Sequence, residues 1–243
     1  FEPYGLSEPA PCLVYYHGGG FIFGAGDYNY KIAKEYALSL GAKLIFVNYR
    51  LAPKHPHPTP VEDCYAGLRF AFENAEKYGI DKTKIGVGGE SAGGCLSTAV
   101  CLMARDRGTD MPCFQLLIYP VTDITMETAS NRRFTDTPVW NSELSKMMWP
   151  AYVPDRSRDD ICYAAPMQAK YFGYLPPAYV EAAEFDCLHD EAINYANAMK
   201  GAGVLVEINE TKGTMHGFDS MLDAPTTRKV VATRIEFMKK YFG

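Results

Sequence analysis

Six short apolar runs punctuate the chain at 12–16, 44–48, 84–88, 114–119, 178–183 and 205–209, each of strand length. Alternating with them, 28–40, 60–78, 92–107, 190–201 and 225–242 carry apolar residues at helical spacing, and the first four end at or near a glycine, a natural helix stop. A strand covered on both faces reads as a continuous apolar run. Its alternation with helices therefore predicts an α/β fold, a mostly parallel sheet with helices on both faces. The stretch 121–175 breaks the rhythm with Pro138, Pro150 and Pro154, both tryptophans (Trp140 and Trp149), and a charged run from Asp155 to Asp160. It is expected to be an insertion lying over the strand ends as a lid or binding surface, where α/β sheets bind ligands.

Composition adds mainly exclusions. At 243 residues, with 47% hydrophobic and 22% charged, the chain suits one large core and is expected to form a single domain over 1–243. The net charge of -5 is spread without blocks of either sign, so no nucleic-acid footprint is visible. Seven cysteines, an odd number with no CxxC pair, suggest a reducing compartment rather than a disulfide framework. No apolar run is long enough to span a membrane, and the opening Phe1-Glu2-Pro3-Tyr4-Gly5 lacks the features of a signal peptide, which together favour a cytoplasmic protein.

The chemistry concentrates in a few motifs. Gly89-Glu90-Ser91-Ala92-Gly93 follows an apolar run and opens a helical pattern. In that context a Gly-x-Ser-x-Gly pentapeptide is the nucleophile elbow of α/β-hydrolases, whose small flanking residues let a tight turn lift the serine above the sheet. Alone, the same five residues would suit a glycine-rich turn with a serine N-cap. The glycine run in His17-Gly18-Gly19-Gly20 supplies backbone N–H groups that, with the N–H of Ala92, would hold an oxyanion. His17 itself is expected to fix the loop. Chain order in this fold is serine, acid, histidine, and only His189 and His216 follow Ser91. His216, in a loop after the last apolar run, is the expected base. Asp186, just past 178–183, is the expected acid, with Glu184 still on the strand and Asp190-Glu191 in the next helix's first turn. His55 and His57 are expected at the surface, and neither metal nor cofactor is required.

These motifs together resemble the hormone-sensitive-lipase-like, or type IV, esterases of the α/β-hydrolase superfamily. The resemblance runs through His17 to Phe21, Asn48 to Pro53, Gly89 to Gly94, Leu175-Pro176-Pro177, Asp186 to Glu191 and His216-Gly217-Phe218. It implies hydrolysis of short-chain, acetyl-like carboxylic esters through an acyl-enzyme. Ser91, Asp186 and His216 would be the triad, and the N–H groups of Gly19, Gly20 and Ala92 the oxyanion donors. The chain departs from the family pattern at Glu90, where Asp is usual, at Lys54, where Glu is usual, and at Cys187 and His189, where Pro and Arg are usual. Members also carry an N-terminal helical cap and an early strand pair, whereas only sixteen residues precede His17 here. The resemblance thus implies a largely absent cap, an open site or one completed by a second copy, and a homo-oligomer covering the sheet edge. Two alternatives keep the same fold: an arylformamidase-like amide hydrolase with this triad, and a non-catalytic small-molecule binder like the gibberellin receptor, against which His216 stands.

Overall fold

The computed structural model describes residues 1–243. Its strands are β1 (Ala10–Tyr16), β2 (Lys43–Val47), β3 (Ile80–Glu90), β4 (Gln115–Ile118), β5 (Ala178–Phe185) and β6 (Val206–Met215). All six form one wholly parallel sheet in the order β2-β1-β3-β4-β5-β6. The helices are α1 (Asp27–Leu40), α2 (Thr59–Glu73), α3 (Ala92–Arg107), α4 (Ala129–Arg133), α5 (Ser142–Tyr152), α6 (His189–Gly201) and α7 (Pro225–Phe242).

Successive side chains of a strand point to opposite faces, and the core divides accordingly. Cys12, Val14 and Tyr16 of β1 join the cluster that includes Val61 and Leu68 of α2, Leu96 and Val100 of α3 and Tyr195 of α6. Leu13 and Tyr15 face the other way, toward Ile32 and Tyr36 of α1 and Val230 and Phe237 of α7. Helix α3 is buried without interruption from Ala92 to Ala104, which suits a helix apolar on most sides directly after the elbow. Gly41 and Gly108 stop α1 and α3 in the left-handed conformation (φ 56° and 62°), where a Cβ would be strained.

Three boundaries differ from the sequence expectation. Helix α2 ends at Glu73 rather than 78, where the backbone and side-chain N–H groups of Asn74 both donate to the Phe70 carbonyl, at 3.1 and 3.0 Å, and cap the last turn. Strands β3 and β6 extend well beyond their apolar runs, through the polar stretches Asp81-Lys82-Thr83-Lys84 and Glu210-Thr211-Lys212. As the sheet's edge, β6 keeps Glu207 and Glu210 exposed or half-exposed, so periodicity hides its length. The extension matters: β6 runs to Met215, so His216 is the first residue beyond a paired strand and not part of a free loop.

Candidate active site

The parallel strands deliver Ser91 after β3, Asp186 after β5 and His216 after β6 to one carboxyl edge. Ser91 has φ 57° and ψ -119°, a conformation that non-glycine residues adopt only when their surroundings enforce it. The enforcement comes from Gly89 and Gly93. A Cβ on Gly89 would lie 2.3 Å from the Tyr16 carbonyl oxygen, and one on Gly93 would lie 2.0 Å from it. Strand and helix therefore approach to a distance only glycine permits, and Ser91 projects from the apex at the start of α3. Its backbone N–H is held by the Ile118 carbonyl at 2.8 Å.

His216 Nε2 lies 2.9 Å from Ser91 Oγ, and its Nδ1 lies 2.7 Å from Asp186 Oδ2. The other carboxylate oxygen of Asp186 accepts the Leu188 N–H at 2.9 Å. All three side chains are buried, Asp186 completely. An Asp acceptor on Nδ1 keeps the proton there and leaves the Nε2 lone pair facing the serine. His189 is not in this chain of contacts. It opens α6 and sits 2.9 Å from Asp190 and 3.2 Å from Glu210. Glu184 stays on β5, accepting the Gly213 N–H at 2.8 Å.

The loop after β1 is bound at several points. Tyr49 Oη donates to the His17 carbonyl at 2.7 Å, and the Gly18 N–H donates to Glu90 Oε1 at 2.7 Å. The His17 ring stacks on Tyr49 with centroids 4.3 Å apart, and burial lowers its pKa, so it is a neutral packing element. Gly19 (φ 103°) and Gly20 (φ 58°) take positive angles, and the Gly19 carbonyl accepts Ile22 and Phe23 N–H groups at 3.0 and 2.8 Å. The N–H groups of Gly19 and Gly20 themselves make no hydrogen bond within the chain. Ala92, first residue of α3, contributes a third N–H of the kind a helix start leaves unpaired.

A family model described as the alpha/beta hydrolase fold matches residues 13–220. The chain is 37% identical to the carboxylesterase NlhH of Mycobacterium tuberculosis, over 88% of this chain and 68% of that protein. The chain belongs to the α/β-hydrolases, among their hormone-sensitive-lipase-like carboxylic ester hydrolases. An ethyl acetate hydrolase of Pseudomonas putida is 32% identical over 86% of this chain and 66% of its own length. Among solved structures, a bacterial heroin esterase superposes with a TM-score of 0.95 at 37% identity, covering all of this chain and 78% of that one.

In this hydrolase the cavity over Ser91, of about 320 Å³, is lined by Phe23, Tyr28, Tyr119, Val139, Trp140 and Leu144 beside Ser91 and His216. The expected insertion supplies Val139, Trp140 and Leu144, the last from α5, so it forms a wall of the site. Trp140 stands against Gly20, where a Cβ would meet the indole at 2.5 Å, and its Nε1 donates to Ser145 Oγ at 2.9 Å.

Sequence reasoning missed a buried polar system behind the histidine. Tyr119, directly after β4, packs its ring 4.6 Å from that of His216 and donates its hydroxyl to Asp219. Asp219 is held in turn by Arg234 of α7 at 2.8 Å, and Arg234 Nε reaches Glu181 of β5 at 3.0 Å. Arg234 and Glu181 are both fully buried. An arginine amid the apolar positions of a C-terminal helix was the available signal. His57 corrects a second expectation: it is buried rather than at the surface, 3.3 Å from Asp160 of the insertion, and burial lowers its pKa. No group of His, Cys, Asp and Glu in the structure is arranged to hold a metal ion, and no helix is long and apolar enough to cross a membrane.

Proposed function

We propose that the chain hydrolyses small carboxylic esters, acetyl-like on the acyl side, through an acyl-enzyme on Ser91. His216 Nε2 takes the Ser91 proton as Oγ bonds to the ester carbonyl carbon, and the carbonyl oxygen becomes an oxyanion facing the N–H groups of Gly19, Gly20 and Ala92. Collapse of that intermediate breaks the bond to the alcohol oxygen, which leaves with the proton from His216. Water then repeats the sequence: His216 removes its proton, the hydroxyl bonds to the acyl carbon, and the carboxylic acid leaves as Ser91 recovers its hydrogen. Asp186 orients the imidazole and stabilises the imidazolium throughout.

The observation that carries this is the continuous chain from Asp186 Oδ2 through His216 to Ser91 Oγ, at 2.7 and 2.9 Å, beside a loop with two unpaired N–H groups. The small acyl group is supported by the cavity of about 320 Å³, near the lower end of the ligand-pocket range, and by the likeness to an ethyl acetate hydrolase. The test is turnover of p-nitrophenyl esters from acetate to decanoate, alongside Ser91→Ala. Turnover highest for acetate and butyrate and abolished in the variant is expected. A wild type no faster than Ser91→Ala refutes the hydrolysis, and a preference for decanoate refutes the acyl assignment.

A further inference from the structure

Glu90 precedes Ser91 directly, and it is a buried carboxylate with no cation against it. Its Oε1 accepts the Gly18 N–H at 2.7 Å and the Asn29 side-chain amide, and its Oε2 accepts the Tyr15 hydroxyl. Every partner is a neutral donor. The titratable and charged groups facing it are Tyr15 from β1, Tyr28 from α1, Tyr49 and Tyr119 from the loops after β2 and β4, and Asp219 from the turn after His216. Arg234 is committed to Glu181 and Asp219.

The contact to Gly18 has a specific consequence. The His17–Gly18 peptide is pinned at both ends, its carbonyl by Tyr49 and its N–H by Glu90. The next two N–H groups along the chain, those of Gly19 and Gly20, are the proposed oxyanion donors. A Cβ on Gly18 would lie 3.0 Å from the Glu90 carbonyl oxygen and 3.3 Å from its Cγ, so the loop and the elbow are in direct contact.

We propose that Glu90 is a positioning residue that ties the oxyanion loop to the nucleophile elbow, and that it does so in its ionised form, so that protonating it loosens the loop and lowers turnover. This rests on the proposed hydrolysis, which Ser91→Ala tests separately. An ionised acceptor makes hydrogen bonds roughly twice as strong as a neutral one, so the Gly18 tether weakens when Glu90 takes a proton. Three donors favour the charged form and complete burial favours the neutral one. Burial prevails in part and pushes the carboxyl up to about 7. Ionisation at neutral pH therefore supports activity while it costs stability: a carboxyl raised in the folded state stabilises fully below its unfolded pKa, and that contribution is lost as pH rises through about 7.

Activity and stability should accordingly move in opposite directions, which a purely structural residue would not produce. The experiment measures kcat and KM for p-nitrophenyl acetate from pH 5 to 9, with thermal midpoints, for the wild type, Glu90→Gln and Glu90→Asp. The wild-type acid limb of kcat should contain two ionisations, one of them that of Glu90. Glu90→Gln imitates the protonated state. It should show one ionisation, a plateau kcat roughly tenfold lower, a fraction of what losing an oxyanion donor costs, KM within about twofold, and a thermal midpoint at pH 8.5 no lower than wild type. Glu90→Asp, with the charge but a shorter reach, should lose rate and keep two ionisations. A wild-type limb with one ionisation overturns the proposal even where a variant fails to fold. So does a Glu90→Gln enzyme with wild-type kcat at pH 8.5, with an unchanged limb shape, or with kcat and thermal midpoint falling together.

Discussion

The sharpest perturbation of the proposed mechanism is Asp186→Asn, because the structure dictates how the new amide must sit. Asp186 Oδ1 accepts the Leu188 N–H at 2.9 Å, so the Asn oxygen is retained there and the NH₂ group is turned toward His216 Nδ1, now occupied by Oδ2 at 2.7 Å. Two donors cannot face each other. His216 must then carry its proton on Nε2, and the atom 2.9 Å from Ser91 Oγ becomes a donor that cannot accept the serine proton. The size and packing of residue 186 barely change. The expected loss is about 10⁴-fold in kcat, or ~5.4 kcal/mol of transition-state stabilisation, with KM within a few-fold. Steady-state turnover of p-nitrophenyl acetate near pH 7.5 measures it, with circular dichroism and a thermal melt to show that the fold is intact. A folded Asp186→Asn enzyme within tenfold of wild type refutes the role of Asp186 and the tautomer reasoning with it.

Three further outcomes follow from the same geometry. Gly20→Ala places a Cβ 2.5 Å from the Trp140 indole at a φ of 58°, and should lower kcat by about 10²-fold or more by displacing a donor N–H; unchanged kcat would remove Gly20 from the oxyanion site. Trp140→Ala should enlarge the cavity of about 320 Å³ and shift the ester preference from acetate toward hexanoate, read as the ratio of kcat/KM values; a constant ratio would place the acyl group elsewhere. Arg234→Met leaves Glu181 and Asp219 buried without their cation and should cost about 3–5 kcal/mol in urea unfolding; a loss under about 1 kcal/mol would show that the buried charges are solvated or protonated instead.

Much of the geometry that brings Ser91, Asp186 and His216 together was legible because it depends on chain order and on glycine. Gly89 and Gly93 mark a place where strand and helix backbones approach too closely for a Cβ, and that signal is written in residue type. The relation of Ser91 to Asp186 and His216 follows from parallel strands ending on one edge, so alternating apolar runs were enough to anticipate it. What stayed hidden has a common cause. The length of β6 is set by pairing with β5, not by apolar periodicity, since its outer positions face solvent as an edge strand. Tyr119, Asp219, Arg234 and Glu181 come from the loop after β4, the turn after His216, α7 and β5, and only tertiary packing joins them. Glu90 stood in view inside the elbow motif, but its bond to Gly18 spans 72 positions of the sequence. His57 was misplaced because a polar residue in a proline-rich loop reads as solvated, whereas the insertion folds over it and brings Asp160 to 3.3 Å.

The central claim, that Ser91 is the nucleophile activated by His216, is tested most directly by intact-mass spectrometry after exposure to an organophosphate ester. The wild type should gain a single phosphoryl adduct that peptide mapping places on Ser91, His216→Ala should label far more slowly, and Ser91→Ala should not label at all. An adduct that persists in Ser91→Ala, or one mapped to another residue, would contradict it.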